Sequence, residues 1–427
     1  MTGIVRNRLG AVALLLTACL GAGACGAREE AELVYPAQDA AARAVMAVDY
    51  MRQLTTPDNF VLRPDEFGAA TVDAAAKVVY VGTREGYLLV LDAEDGAIRQ
   101  ERALEDSVFG IPVLVPGSGP SGSPDEPLLV VGTDNGTIHA LDPSDLQTRW
   151  RYETPGRIRN APLVHEGVVF FVNSRDQIYA LDLRSGEWRW QYEQELQTDF
   201  TVHGHAGLSL RPASEAGTGL GTELGTLFAC FDSGKVAALA AGSGQALWLA
   251  SVAPPEGGDF IDCDSTPLLD PDAGVVYVAG QSTGVFALEL DSGEERWRFP
   301  MRGAAALVPI PEGAGGGLLG TSSLEGVFVL ERDGSRLRWR TRANPGVLSE
   351  PVLVDGAVFV THSELGLLAF DLDTGELLAQ LRTGSGMASV PTYDRQLQRV
   401  FAMSNRGTFV AMRVGEALDS FVSIGAR

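Results

Sequence analysis

One phrase recurs through this chain and limits what it can fold into. Val130 to Trp150 reads VVGTDNGTIHALDPSDLQTRW: an apolar pair, a turn, an alternating run, an acid, a second turn and a tryptophan. The same order returns at 78–101, 168–190, 275–297 and 357–380. Aligned on the residue that ends the alternating run, the register falls on Asp92, Asp142, Asp182, Ala240, Glu289, Glu331, Asp371 and Arg413. A recurring unit of about 40–45 residues holding several strands is the signature of a propeller blade.

Each unit reads alike. A Pro-x-apolar start (Pro112, Pro162, Pro267, Pro309, Pro351, Pro391) leads into a β-rich run such as VVFFV or AVFVT. A turn, an alternating strand, a turn with glycine (Gly96, Gly186, Gly244, Gly293, Gly334, Gly375) and a strand with an aromatic follow. Period-two strands with tight turns, and no helical pattern between them, leave consecutive antiparallel strands as the only topology. The fold class is therefore all-β, an eight-bladed β-propeller of four-stranded antiparallel blades, because radial stacking buries both faces of every sheet.

Trp150, Trp190, Trp248, Trp297 and Trp339 share one place in the unit, and Trp188 is the sixth tryptophan. Equivalent rings in successive blades point to packing between neighbours, each burying about 150–250 Å². A ligand role would call for one tryptophan unlike the rest. The last unit, 399–414, has little chain after it, yet the ring must close or leave an edge open. MAVDYMRQL (46–54) can supply the closing strand, with Tyr50 in the place of Trp. The chain before Ala44 is Ala-rich and is expected to be helical or loose. Segments 116–127, 211–225 and 311–317 are expected as surface loops.

The first residues follow another logic. MTGIVRNR carries Arg6 and Arg8, LGAVALLL is a short apolar core, and LTAC ends at Cys19. That is the layout of a secretory signal. LTAC also resembles a bacterial lipobox, so Cys19 is the expected lipidation site, with AGAC and Cys25 as the alternative and a plain cleaved signal as another. The domains are then 1–19 signal peptide, 20–44 tether and 45–427 propeller. Leu20 or Gly26 would follow the lipidated cysteine in place of the Asp that, by resemblance to enteric lipoproteins, retains a lipoprotein in the inner membrane. The periplasmic face of the outer membrane is expected. A disulfide between Cys230 and Cys263 is chemically allowed there, but two separately buried thiols are the preferred expectation.

The 427 residues carry a net charge of −22, with 45% hydrophobic and 21% charged residues. This is a globular composition, and its sign argues against a nucleic-acid partner or a broad anionic-lipid surface. His203 and His205 share one strand face, but a metal needs further ligands that the sequence does not show. No P-loop, nucleophile-elbow or zinc-type spacing occurs. No catalytic residue, metal or cofactor is expected.

The pattern VYVGT-x-x-G-x-L-x-A-L-D-x-x-T-G-x-x-x-W resembles the pyrroloquinoline-quinone (PQQ) type propeller repeat, from about Tyr50 to Arg413. Quinoprotein dehydrogenases of this fold look longer, and carry adjacent cysteines, a calcium-binding acidic set and a catalytic Asp. None of the four cysteines here is adjacent to another. A lipoprotein with eight such blades instead resembles the BamB family of outer-membrane β-barrel assembly. DFIDCDSTP (259–267) resembles that family's Asp-x-Asp-Thr-Thr-Pro segment and places its acids at Asp262 and Asp264. FTVHG (200–204) resembles its Leu-Ser-Leu-Arg-Gly segment and places the apolar pair at Phe200 and Val202. The family's arginine falls on His203, which offers no bidentate fork.

The resemblance implies a non-enzymatic periplasmic scaffold whose partner-binding residues are Phe200, Val202, His203, Asp262 and Asp264. The implied partners are the POTRA repeats of the BamA-type barrel-inserting protein, other lipoproteins of the assembly machine, and unfolded outer-membrane proteins. A monomer is expected. Turn capping is the competing role for the two Asp residues. A PQQ-dependent dehydrogenase and an adaptor of another envelope complex are the competing functions.

Overall fold

The computed structural model describes residues 31–34, 45–56, 66–117, 126–194, 206–213, 224–254 and 261–415. They form eight sheets of antiparallel strands, the propeller that the repeat predicts. Blade 3 shows the plan. Leu163–His165, Val168–Asn173, Gln177–Asp182 and Trp188–Glu193 lie in chain order from the axis outward. The two middle strands are buried almost throughout, since each is covered on both faces by neighbouring blades. The outer strand is exposed except at alternate positions, and Trp190 is its one fully buried side chain. In blade 6, Pro309 ends the first strand, Ala304–Pro309, instead of opening it. The insertion after it holds a short 3-10 turn, Glu312–Ala314. Among the described residues no helix is long and apolar enough to cross a membrane.

The tryptophan position is built by a bulge. Leu181 pairs with Trp188 and Ala180 with Trp190, which leaves Arg189 as the extra residue. The same shift occurs in the other outer strands, including that of the closing blade. A bulge re-aims side chains. Here it turns Arg189 back onto Asp182, at 2.7 Å, and sends Trp190 toward the next blade. Pairs of the same seven-residue spacing join Arg99 to Asp92, Arg149 to Asp142, Arg296 to Glu289 and Arg338 to Glu331. The register acids also accept turn amides, as Asp182 does from Arg184 and Ser185. Arg99 holds the Asp92 carboxyl below the usual carboxylate range. These groups are turn structure.

The rings then lock blade to blade. Trp150 lies against Gly186 of blade 3, Trp190 against Gly244, Trp248 against Gly293 and Trp339 against Gly375. A Cβ on any of these glycines would come within 2.5–2.7 Å of the ring, and each glycine has φ of 72–73°. Both facts require Gly. The indole N–H donates to the next blade's backbone: Trp150 to Leu183 O, Trp190 to Ala241 O, Trp248 to Leu290 O and Trp339 to Leu372 O, at 2.8–2.9 Å. Blade 1 breaks the pattern in a paired way. Gln100 replaces Trp, and Leu146 (φ 57°) replaces the facing glycine, since no ring covers it.

Closure uses the strand Ala47–Gln53, which pairs with Thr408–Arg413 as the outer strand of blade 8. Tyr50 stands in the tryptophan place. Its ring covers Gly96 of blade 1 and its hydroxyl reaches Ala93 O at 3.4 Å. Here the ion pair is reversed: Asp49 occupies the bulge and meets Arg413 and Arg399, both at 2.6 Å. Before it, where a helical or loose segment is expected, Glu32–Val34 forms a strand instead. It pairs antiparallel with Leu377–Arg382 and makes blade 7 five-stranded. The reason is local. Blade 7 has Ala379 in the tryptophan place, and Leu33, Val45 and Met46 pack into the same cluster. Residues 1–30, with Cys19 and Cys25, lie outside the described residues.

Two stability tests follow from these contacts. Gly244→Ala places a methyl against Trp190 at positive φ and is expected to cost roughly 1–3 kcal/mol. Asp49→Asn leaves Arg399, largely buried, and Arg413, about one-third exposed, without their carboxylate and should cost about 1–3 kcal/mol. Urea unfolding of both variants checks this, and a midpoint unchanged from wild type would refute either assignment.

Candidate functional site

Antiparallel order puts two kinds of segment on one face of the ring: the turns between second and third strands, and the connections that lead to the next blade. On that face blades 3, 4 and 5 bring four carboxylates together. Asp176 sits in the turn of blade 3, between Val168–Asn173 and Gln177–Asp182. Asp232 sits in the turn of blade 4, between Thr226–Cys230 and Lys235–Ala240. Asp262 and Asp264 come from the connection into blade 5. Sequence reasoning nominated the last two and missed the first two, because an Asp in a hairpin turn is unremarkable as sequence.

The four groups feel one another. Burial, and then the charges of Asp176, Asp264 and Asp262, push the Asp232 carboxyl up to about 8. Burial and Asp262 raise Asp264 to about 6, against a hydrogen bond from Gln281 Nε2 to its Oδ2 at 3.1 Å. Burial likewise raises Asp176 to about 6, although the Asp232 amide donates to it at 3.2 Å. Asp262 is fully buried, whereas Asp264 keeps partial exposure. Of the two, Asp264 is the one that solvent reaches. Asp176 and Asp232 also line a cavity of about 10 Å³ with Arg157, Arg159 and Asn160, room for about one water.

Beside the acids the face changes character. Arg159 forks onto Asp134 at 2.8 and 2.6 Å, and its guanidinium lies 5.5 and 5.2 Å from the rings of Phe67 and Phe109. Phe109, Arg159 and Asp264 each stand three residues before the proline that opens a blade, so one structural place carries an aromatic, a cation and an acid in turn. Phe200, Val202 and His203, with His205, lie outside the described residues. Among the described residues no group of three or more His, Cys, Asp or Glu is arranged to hold a metal ion.

The expectation of two separate thiols is corrected here. Cys230 and Cys263 form a disulfide, with Cα atoms 5.3 Å apart. The same two places are in contact in other blades. In blade 1 a Cβ on Gly82 would strike Val108, and in blade 2 a Cβ on Gly132 would strike Ile158. Cys230 and Cys263 occupy the equivalent positions in blade 4. The bond fastens the segment that carries Asp262 and Asp264 to the strand that leads to Asp232.

Comparison with known proteins agrees with this architecture. A family model described as outer membrane protein assembly factor BamB matches residues 114–313 and 284–418. The outer membrane protein assembly factor BamB of Vibrio cholerae is 31% identical over 241 residues, 55% of this chain and 58% of that protein. The Salmonella typhimurium protein of the same name is 26% identical over 334 residues, 74% of this chain and 77% of its own length. A quinoprotein alcohol dehydrogenase, PedH of Pseudomonas putida, is 25% identical over 224 residues, 50% of this chain but 34% of that enzyme. The chain spans about half the length of several curated relatives that it matches. The crystal structure of BamB from Moraxella catarrhalis superimposes with a TM-score of 0.67 at 19% identity, covering 86% of this chain and all of that one.

The raised carboxyls predict a pH dependence. A group such as Asp232, at 3.8 unperturbed and about 8 when folded, binds a proton in the native state that the unfolded chain has lost. Its contribution to stability is complete below about pH 4 and disappears as pH rises through about 8. Asp232→Asn removes that loss, so the difference in melting temperature, variant minus wild type, should grow from pH 5 to pH 8.5. A difference that stays constant across that range would show that Asp232 titrates normally.

Proposed function

This chain belongs to the family of outer membrane protein assembly factor BamB, and we propose that it works as a non-enzymatic scaffold in the assembly of outer-membrane proteins. In this reading the acidic rim of blades 3 to 5 is the docking surface, and it receives the POTRA repeats of the BamA-type barrel-inserting protein. The carrying observation is the gathering of Asp176, Asp232, Asp262 and Asp264 from three blades onto one rim. A partner cation inserted there would offset the repulsion among the ionised carboxylates and draw the protonated ones toward their charged form. Phe200, Val202 and His203 lie in sequence between the last strand of blade 3 and the first strand of blade 4, outside the described residues, and they belong to this reading as its apolar pair and the histidine beside it. The lipid anchor at Cys19, with Cys25 as the alternative, would hold the ring at the periplasmic face of the outer membrane.

The register acids argue for a scaffold as well. Those at 92, 142, 182, 289 and 331 are each bound to an arginine of their own blade, which makes them parts of turns. Similarity to PedH favours the quinoprotein reading as the second choice. Incubating the purified chain with PQQ and calcium, and assaying dye reduction with alcohols, separates the two readings. Turnover would overturn the scaffold.

Two outcomes are expected. Asp264→Arg should weaken binding of the lipid-free chain to its cognate POTRA repeats by about 2–5 kcal/mol, mostly in the off-rate, while Asp264→Asn should weaken it less. A folded Asp264→Arg variant that binds like wild type would remove this residue from the docking surface. For the anchor, Cys19→Ala should leave the protein unprocessed or soluble, and Cys25→Ala should still fractionate with membranes. The reverse pattern would move the anchor to Cys25.

A further inference from the structure

Trp297 is unlike the other tryptophans of its position. Its ring covers a glycine of the next blade, Gly334, but its N–H makes no hydrogen bond to the carbonyl at the place the other indoles use. That carbonyl belongs to Arg332, and it accepts from the Tyr277 hydroxyl at 3.2 Å. The arrangement has a parallel in blade 1, where the Tyr80 hydroxyl reaches Pro143 O, the equivalent carbonyl of blade 2. Blade 1 has Gln100 in the outer place, and its amide turns to Ser144 O at 2.6 Å. Blade 5 has kept both the tyrosine and the tryptophan. Among the described residues its indole N–H has no hydrogen-bond partner, on a ring that is only half-buried.

Trp297 lines a cleft between blades 5 and 6. The cleft has a volume of about 380 Å³ and is lined by Asp272, Tyr277, Arg296, Trp297, Arg332 and Asp333. Its two arginines are neutralised. Arg296 forks onto Glu289 at 2.6 and 2.7 Å and donates to Ala273 O. Arg332 forks onto Asp270 and reaches Glu312 at 2.9 Å. Three carboxylates thus answer two guanidinium groups before Asp272 and Asp333 are counted, so the cleft has a negative rim around an indole face.

We propose that this cleft binds an arginine side chain of a polypeptide partner, its guanidinium stacked on Trp297 between Asp272 and Asp333. Each part of the occupant answers a feature of the cleft. Indole is the strongest cation–π face among the side chains. A planar guanidinium stacks on it and offers a donor fork to carboxylates, which an ammonium does not. The backbone carbonyl of the incoming residue is an acceptor for the surplus indole N–H. A purely apolar side chain would use neither the rim nor the donor.

The test uses the whole chain labelled with ¹⁵N, whose six tryptophans give separate indole N–H signals. Trp297→Phe identifies the Trp297 signal. Arginine amide is the probe, and citrulline amide, its uncharged counterpart, is the control. The expected result is a saturable shift of the Trp297 signal with a dissociation constant on the order of millimolar, and about tenfold weaker binding of citrulline amide. Asp272→Asn/Asp333→Asn, with a melting temperature equal to wild type, should weaken arginine amide by a similar factor. An unmoved Trp297 signal would overturn the proposal. So would equal responses to the two amides, or unchanged binding in the folded double variant.

Discussion

A ring laid over a glycine, with its N–H on the next blade's carbonyl, is the contact on which this molecule depends. Each sheet has two apolar faces, and the middle strands bury them against neighbours. The outer strand has only its aromatic to offer, and without it the blades would splay at the rim. Nearer the axis the corresponding fastening is a hydroxyl, as when Thr392 donates to Ala70 O at 2.8 Å or Thr71 donates to Pro112 O. Adjacent blades are pinned at two radii, which makes each interface resist rotation as well as separation. Where the outer contact is absent, its partner has changed too. Gln100 faces Leu146, and Ala379 faces the seam, where the covalent turn that a ring would cover is replaced by the junction of two chain segments.

The architecture was legible because it is written eight times. The strand order, the role of the repeated tryptophans and the closing strand with Tyr50 all follow from period and position. What the repeat does not encode was harder to see. Glu32–Val34 pairs with blade 7 because Ala379 leaves room there, and a three-residue strand has no periodicity to detect. The disulfide joins a strand to a connection, and connections vary in length, so the equivalence of Cys230 and Cys263 to Gly82 and Val108 emerges only with the fold in hand. The candidate site was half legible. Asp262 and Asp264 were singled out by resemblance, whereas Asp176 and Asp232 become functional candidates only because three blades converge.

That convergence runs against the rule elsewhere in the chain. With a net charge of −22, the fold could have spread its acids over every turn, and mostly it does, binding them to bulge arginines and turn amides. At the rim of blades 3 to 5 the acids are gathered and largely withdrawn from solvent. Such a cluster lowers the stability of the free protein at neutral pH, and the disulfide beside it ties the segment that carries Asp262 and Asp264 to blade 4. Groups held where they repel one another are expected at sites that meet a partner, since structural turns have no reason to gather them.

The seam shows the same electrostatics used for selection. Seven outer strands follow directly from their own blades and need no guidance. The closing strand arrives from the other end of the chain and must choose an edge and a register. A bulge residue meets the residue that ends the neighbouring third strand, and in most blades that residue is an acid. Asp49 in the bulge would face a like charge at Asp92, Asp142, Asp182, Glu289, Glu331 or Asp371. At blade 8 it faces Arg413 and Arg399 instead, and both bind it at 2.6 Å. A slip by one residue would turn Asp49 away from both arginines and Tyr50 away from Gly96. The reversed pair therefore adds little that a bulge arginine would not add to stability, but it makes the right closure differ from every wrong one.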